Sequence, residues 1–189
     1  MEKGKIIFLN GVSSSGKTTL SATLQERLME VFFAFGADTF AFMSPKKYIN
    51  HNHPECGIII PKAVSIMPQV VKLYSDMGFN IIVDHVLGAP NSTNKGAYEF
   101  IEPLHDYPVL FVHVVCPVDE LRRREKERGD RKIGQAEKQL SSLYPQDAYD
   151  ITVNTFDNPK EECADKIIAL LDYPEKFIAF KNLWSMRTK

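Results

Sequence analysis

Continuous apolar runs rich in β-branched and aromatic residues recur at residues 5–10, 31–35, 79–84, 108–115 and 151–154. Runs of this kind, without polar alternation, predict strands covered on both faces, as in a parallel sheet between helical layers. Between them the apolar spacing lengthens to a helical period. Leu20, Leu24 and Leu28 step by four within residues 18–30, and Val64, Met67, Val71 and Tyr74 form a similar stripe within residues 62–77. Each stripe predicts a helix with one covered face. Later, Asn158 is placed to cap a helix, with Pro159 at its first position and Glu161 as a capping-box carboxylate ahead of Ile167, Ile168 and Leu171. Strands alternating with helices predict an α/β domain around a mostly parallel sheet, with its ligand site outside the carboxyl ends of the strands.

Two segments break this rhythm: residues 42–61, rich in Pro, His and Asn, and the arginine-dense residues 122–131, interrupted by Gly129. Both are expected to be mobile coverings of a site. Phe177, Phe180 and Trp184 have helical spacing in the tail and predict packing on the domain or against a second copy, so a homodimer is one expectation. No repeat or Gly/Ser linker divides the chain, and one domain over residues 1–189 is expected.

Composition narrows the function. With 44% hydrophobic and 25% charged residues and a formal charge of −1, the chain suits a globular core and has no global field to attract nucleic acid or an acidic membrane. The longest apolar stretch is read at residues 109–118, interrupted by His113 and Pro117 and short of the ~20 residues of a membrane span. Cys56, Cys116 and Cys163 are odd in number and widely spaced, which suits reduced thiols, and a cytoplasmic location is expected.

The chemistry begins at Gly11, Val12, Ser13, Ser14, Ser15, Gly16, Lys17 and Thr18, which fit GxxxxGK[ST] between a predicted strand and a predicted helix. Phosphate oxygens need many donors at close range, and such a turn supplies consecutive backbone N–H groups at the positive end of a helix dipole. Lys17 adds a cation for the β- and γ-phosphates, and the Thr18 hydroxyl is a ligand for Mg²⁺ bridging them. Thr19 completes the expected nucleotide-binding set, with ATP and Mg²⁺ as the implied cofactors.

Polar residues at other strand ends select the reaction. Asp38 follows the strand at 31–35, where a carboxylate could take a proton from an acceptor hydroxyl; it could equally cap the helix beginning near Thr39. Asp84 closes the apolar strand at 79–84 in the Walker B manner, as a metal ligand or an acceptor contact. His85 beside it is either a substrate contact or a structural imidazole. Arg124 and Arg128 share a helical face, with Arg131 just beyond Gly129 and Asp130. Guanidinium groups on a hinged arm can neutralise charge developing during phosphoryl transfer, and Arg128 and Arg131 are the candidates to touch phosphate. His51, His53 and Cys56 match no zinc spacing and read as a substrate-side loop.

These segments resemble the chloramphenicol phosphotransferase-like proteins among the P-loop kinases. The likeness rests on IIFLNGVSSSGKTTL, FGADTF around Asp38, FNIIVDHVL around Asp84, ERGDRKIGQAEKQ around Arg128 and Arg131, and YDITVNT. It implies a three-layer P-loop fold with five parallel strands in the order 2-3-1-4-5, a lid of about residues 124–138 and an acceptor-side segment of about residues 39–62. It also implies transfer of the ATP γ-phosphate to a small-molecule hydroxyl, with Asp38 as base. The chain departs from the antibiotic-modifying members within residues 42–61, and carries His85 in place of a second acidic residue. A nucleotide or metabolite kinase with another acceptor remains an alternative, as does a nucleotide-dependent switch or ATPase acting on a protein partner, although no NKxD or DxxG element accompanies the loop.

Overall fold

The structure, a computed structural model, describes residues 2–49, 53–90, 97–129 and 133–187. Its strands are β1 (Ile6–Asn10), β2 (Phe32–Gly36), β3 (Asn80–His85), β4 (Val109–Val115) and β5 (Ile151–Asn154). Its helices in chain order are α1 (Lys17–Arg27), α2 (Ala37–Phe42), α3 (Lys46–Ile49), α4 (Cys56–Val64), α5 (Met67–Asp76), α6 (Ala97–Leu104), α7 (Val118–Arg128), α8 (Gln135–Leu140), α9 (Lys160–Ile168) and α10 (Ala179–Met186). The strands form one parallel sheet in the order β2-β3-β1-β4-β5. This is the topology implied by the family resemblance.

Alternation along β1 divides the core. Ile7 and Leu9 face Leu20 and Leu24 of α1 and Cys163, Ala164 and Ile167 of α9. Ile6 and Phe8 face Met67 and Val71 of α5, Phe100 and Ile101 of α6, and Phe180 of α10. Phe8 is the centre of that second layer, edge-on to Phe100 and Phe111 at ring separations of 5.3 and 5.6 Å. Each fully buried side chain of this kind contributes about 1.5–3 kcal/mol relative to exposure, so a central strand with no exposed residue is a strong anchor for the loop that follows it.

Four expectations change. The run at 31–35 is an edge strand rather than one buried on both faces: Phe33 is 42% exposed and leans on Tyr74 and Phe79. The helix expected over 62–77 is two helices, because Pro68 at the start of α5 has no N–H to donate and its ring would meet the Val64 carbonyl. The expectation that no apolar stretch reaches the length of a membrane span also changes here: Cys56–Asp76 is long and apolar enough to cross a membrane by length and composition alone. Ser65 and Ile66 nevertheless interrupt it, and Met67 and Val71 are fully buried against the sheet. At α9 the N-cap is Pro159 and not Asn158, one position later than expected. The Asn158 side chain instead donates to Glu162 at 3.4 Å and accepts from Lys166 at 3.2 Å.

In the tail, Phe180 is buried and Trp184 stacks on His105 at 4.6 Å, while Phe177 lies outside α10 and packs on the opposite layer. Cys116 and Cys163 are buried free thiols.

Candidate active site

The loop between β1 and α1 is shaped by close approaches. A Cβ on Gly11 would lie 2.3 Å from the Val114 carbonyl oxygen, so only glycine lets the chain turn against β4. Gly16 is left-handed at φ 95° and caps α1, and Ser14 is left-handed at φ 62°. The N–H groups of the loop and of the first turn of α1 therefore converge at the carboxyl end of the sheet.

Lys17 is 7% exposed and folds back over the loop, donating to the Val12 carbonyl at 2.9 Å. Its ammonium also lies 3.7 Å from Asp84 Oδ1. Thr18 Oγ1 donates to Asp84 Oδ2 at 2.6 Å. Strand register explains the meeting: Asp84 pairs with Leu9 on one side and with Gly36 on the other. The β3 carboxylate thus leaves the sheet beside the loop, and the β2 exit lies on its far side. A Cβ on Gly36 would lie 2.4 Å from the Asp84 carbonyl oxygen, so glycine allows the two strand exits to close up.

Asp38 sits in the first turn of α2, whose N-cap is Gly36. The capping reading of Asp38 is therefore not met; Thr39 Oγ1 takes that part, accepting from Gly36 N at 3.2 Å. Asp38 lines a cleft of about 420 Å³ together with Lys17, Thr18, Asp84, His85 and Arg128. Ser13 and Ser14 also line it, whereas Gly11, Val12, Ser15 and Gly16 shape the loop from beneath. Thr19 faces outward on α1, away from the cleft lining, with its carbonyl taken by Thr23.

His85 packs against Phe8 and Phe100, and burial, with the Lys17 charge adding to it, pushes its pKa down to about 4. It is a neutral wall of the cleft at pH 7. His53 accepts from Glu55 N at 3.2 Å and packs edge-on to Tyr48, while His51 lies outside the described residues. Among the described residues no cluster of three His, Cys, Asp or Glu could hold a metal. The oxygen pair of Thr18 and Asp84 suits Mg²⁺ instead, which keeps water and phosphate among its ligands and needs few from protein.

The arginine arm divides by role. Arg122 pairs with Glu137 and Asp119 on the surface, and Arg123, also exposed, pairs with Glu127 and with the largely covered Glu120. Arg124 turns inward, donating to the Ser14 carbonyl at 3.4 Å and to Thr155 Oγ1 and O at 3.2 Å each. Thr155 Oγ1 in turn donates to the Ser15 carbonyl at 2.7 Å, so Arg124 clamps the loop from outside. Arg124 also donates to Glu120 at 2.7 Å, and hydrogen bonds from Arg123 and Arg124 hold Glu120 down to about 2. Arg128 borders the cleft; Arg131 lies outside the described residues.

Two residues escaped the sequence reading. Glu125 stands in a run of alternating charges but is 1% exposed, accepting from Gly134 N and Ala136 N at 2.7 Å each. It ties the start of α8 to α7. Gln139 reaches back from α8 to accept from Ser13 N at 2.7 Å. For Glu125 the four-residue step from Leu121 was the available signal, since it places Glu125 on the inner side of its helix; Gln139 had no comparable signal.

Comparison with known proteins bears on this arrangement. A protein of Mycobacterium tuberculosis (strain ATCC 25618 / H37Rv), provisionally named an O-phosphotransferase, is 28% identical over 188 residues, covering 88% of this chain and 82% of its own. The adenylyl-sulfate kinase of Clostridium acetobutylicum is 22% identical over 184 residues, covering 90% and 84%. Among solved structures, the Mycobacterium tuberculosis APS kinase in complex with AMPPNP and APS superposes with a TM-score of 0.64 at 16% identity, over 91% of this chain and 99% of that one. That likeness is one of fold, a P-loop kinase architecture. Residues 4–172 match the model of the chloramphenicol phosphotransferase-like proteins, and the chain belongs to that family.

Proposed function

We propose that the protein transfers the γ-phosphate of ATP to a hydroxyl group of a small molecule. The observation that carries this reading is the juxtaposition of Asp38 and Asp84 with Lys17 and Thr18 around one cleft. A carboxylate facing a phosphate loop across a cavity sized for a small molecule suits an acceptor kinase.

Main-chain N–H groups of the loop bind the phosphates, with Lys17 as the cation beside them. Thr18 and Asp84 would hold Mg²⁺, which when bound supplies charge neutralisation on the phosphate oxygens. Asp38 orients the acceptor hydroxyl and takes its proton as the hydroxyl oxygen bonds to the γ-phosphorus. The bond from that phosphorus to the bridging oxygen breaks, and ADP leaves with the electron pair. Arg128 borders the same space and offsets charge on the transferring group, with Arg131 as its companion from the lid. His85, held neutral, supplies an uncharged wall beside the acceptor. The family and the free buried thiols support a cytoplasmic location.

Incubation with ATP, Mg²⁺ and hydroxyl compounds, chloramphenicol first, tests the proposal. ADP release that requires the acceptor, with a phosphate ester seen by phosphorus NMR, is the expected result. ADP release indifferent to every small acceptor but stimulated by a protein would contradict it.

A further inference from the structure

We propose that Gln139 is a γ-phosphate-reading residue, which ties the lid helix to the phosphate loop and discriminates nucleoside triphosphate from diphosphate. The inference rests on the phosphotransferase reading above and assigns a residue that the reading does not use. Ser13 N lies 2.7 Å from Gln139 Oε1. A backbone N–H can only donate, so this contact fixes which end of the carboxamide is oxygen. The NH₂ end is then directed away from Ser13 as two oriented donors, and no acceptor among the described residues is paired with it.

Those donors belong to a side chain that lines the cleft with Lys17 and Arg128. They are held there from both sides. Glu125, itself buried, grips Gly134 N and Ala136 N and fixes the start of α8, while Ser13 fixes the tip of the side chain. Neutral donors fixed at the rim of a phosphate loop are complementary to the oxygens of a terminal phosphoryl group. ADP presents no such group at the rim. Contact with the γ-phosphate would therefore join the phosphate loop and α8 through the substrate, for triphosphate but not for diphosphate.

The test is equilibrium binding, by calorimetry with Mg²⁺, of AMP-PNP and of ADP to the wild-type chain and to Gln139→Leu and Gln139→Glu. Leucine removes the donors without adding charge. Glutamate keeps an oxygen for Ser13 N and removes the donors. Gln139→Glu should melt as the wild type does without nucleotide, whereas Gln139→Leu also removes the acceptor for Ser13 N and should melt slightly lower. Gln139→Leu is expected to lower the preference for AMP-PNP over ADP by about tenfold, and Gln139→Glu by more, as for hydrogen bonds to a charged group. Parallel weakening of both nucleotides would show Gln139 to be a lid-docking residue only and overturn the proposal, as would unchanged binding. Wild-type protein that binds neither nucleotide would overturn the phosphotransferase reading and this inference together.

Discussion

The two lips of the cleft are built on different terms. On the phosphate-loop side nearly every position is dictated by backbone: β1 is buried throughout, Gly11 and Gly16 answer a close approach and a left-handed turn, and Lys17 is pinned between Val12 and Asp84. On the other side Gly36, Ala37, Asp38 and Thr39 line the cleft, and beyond them α2 to α4, proposed as the acceptor side, leave Phe42 at 66%, Met43 at 78% and Ile58 at 68% exposure. The phosphate group is the same in every reaction of this type, so its cradle can be rigid. The proposed acceptor side instead presents apolar side chains to solvent, where exchange of a side chain costs little stability and, on this reading, would change what can bind.

The largest blow to the rigid lip is Lys17→Ala. Loss of the buried cation should lower kcat by about 10³-fold in the acceptor-dependent assay while the fold survives. A smaller change weakens the link between the loop and β3. Asp84→Asn keeps a hydrogen-bonding partner for Thr18 but removes the charge, and should weaken Mg²⁺-nucleotide affinity roughly 10- to 100-fold in a metal titration.

Between the lips stands His85, whose folded pKa of about 4 lies below the ordinary 6.5. Below pH 6.5 the unfolded chain binds a proton that the folded chain refuses, so stability falls as pH drops from about 6.5 to 4 and the loss levels off beneath that. His85→Gln should remove this acid sensitivity, worth up to about 3 kcal/mol at pH 4, in urea unfolding followed against pH. Least disturbed should be Ile58→Ser on the exposed lip. Stability should move by no more than about 0.5 kcal/mol, while KM for the acceptor shifts and KM for ATP does not.

The same contrast decides what could be read from sequence. The strands of the central sheet were legible because continuous apolar runs have few alternatives to burial between two layers, and the loop because its spacing is demanded by phosphate geometry. The edge position of β2 was not legible in its own apolar pattern, since Phe33 is as apolar as a core residue; it followed only from the strand order that the family resemblance implied. Pro68 carried the signal for the break between α4 and α5, but the apolar stripe running past it read as continuous. In the arginine arm, charge pattern shows where guanidinium groups lie and not which way they face. Arg124 turns in to clamp Ser14 and Thr155, Glu125 is buried, and Arg122 and Arg123 remain on the surface. Gln139 was invisible for a related reason: its partner is a backbone N–H remote in sequence.

Asp38→Asn tests the central claim most directly, because asparagine keeps the size of the side chain and loses the capacity to take a proton. Acceptor-dependent ADP release should fall by about 10²- to 10⁴-fold, while ATP affinity measured by calorimetry stays within a few-fold of wild type. Undiminished turnover in the variant would contradict the role of Asp38 as base.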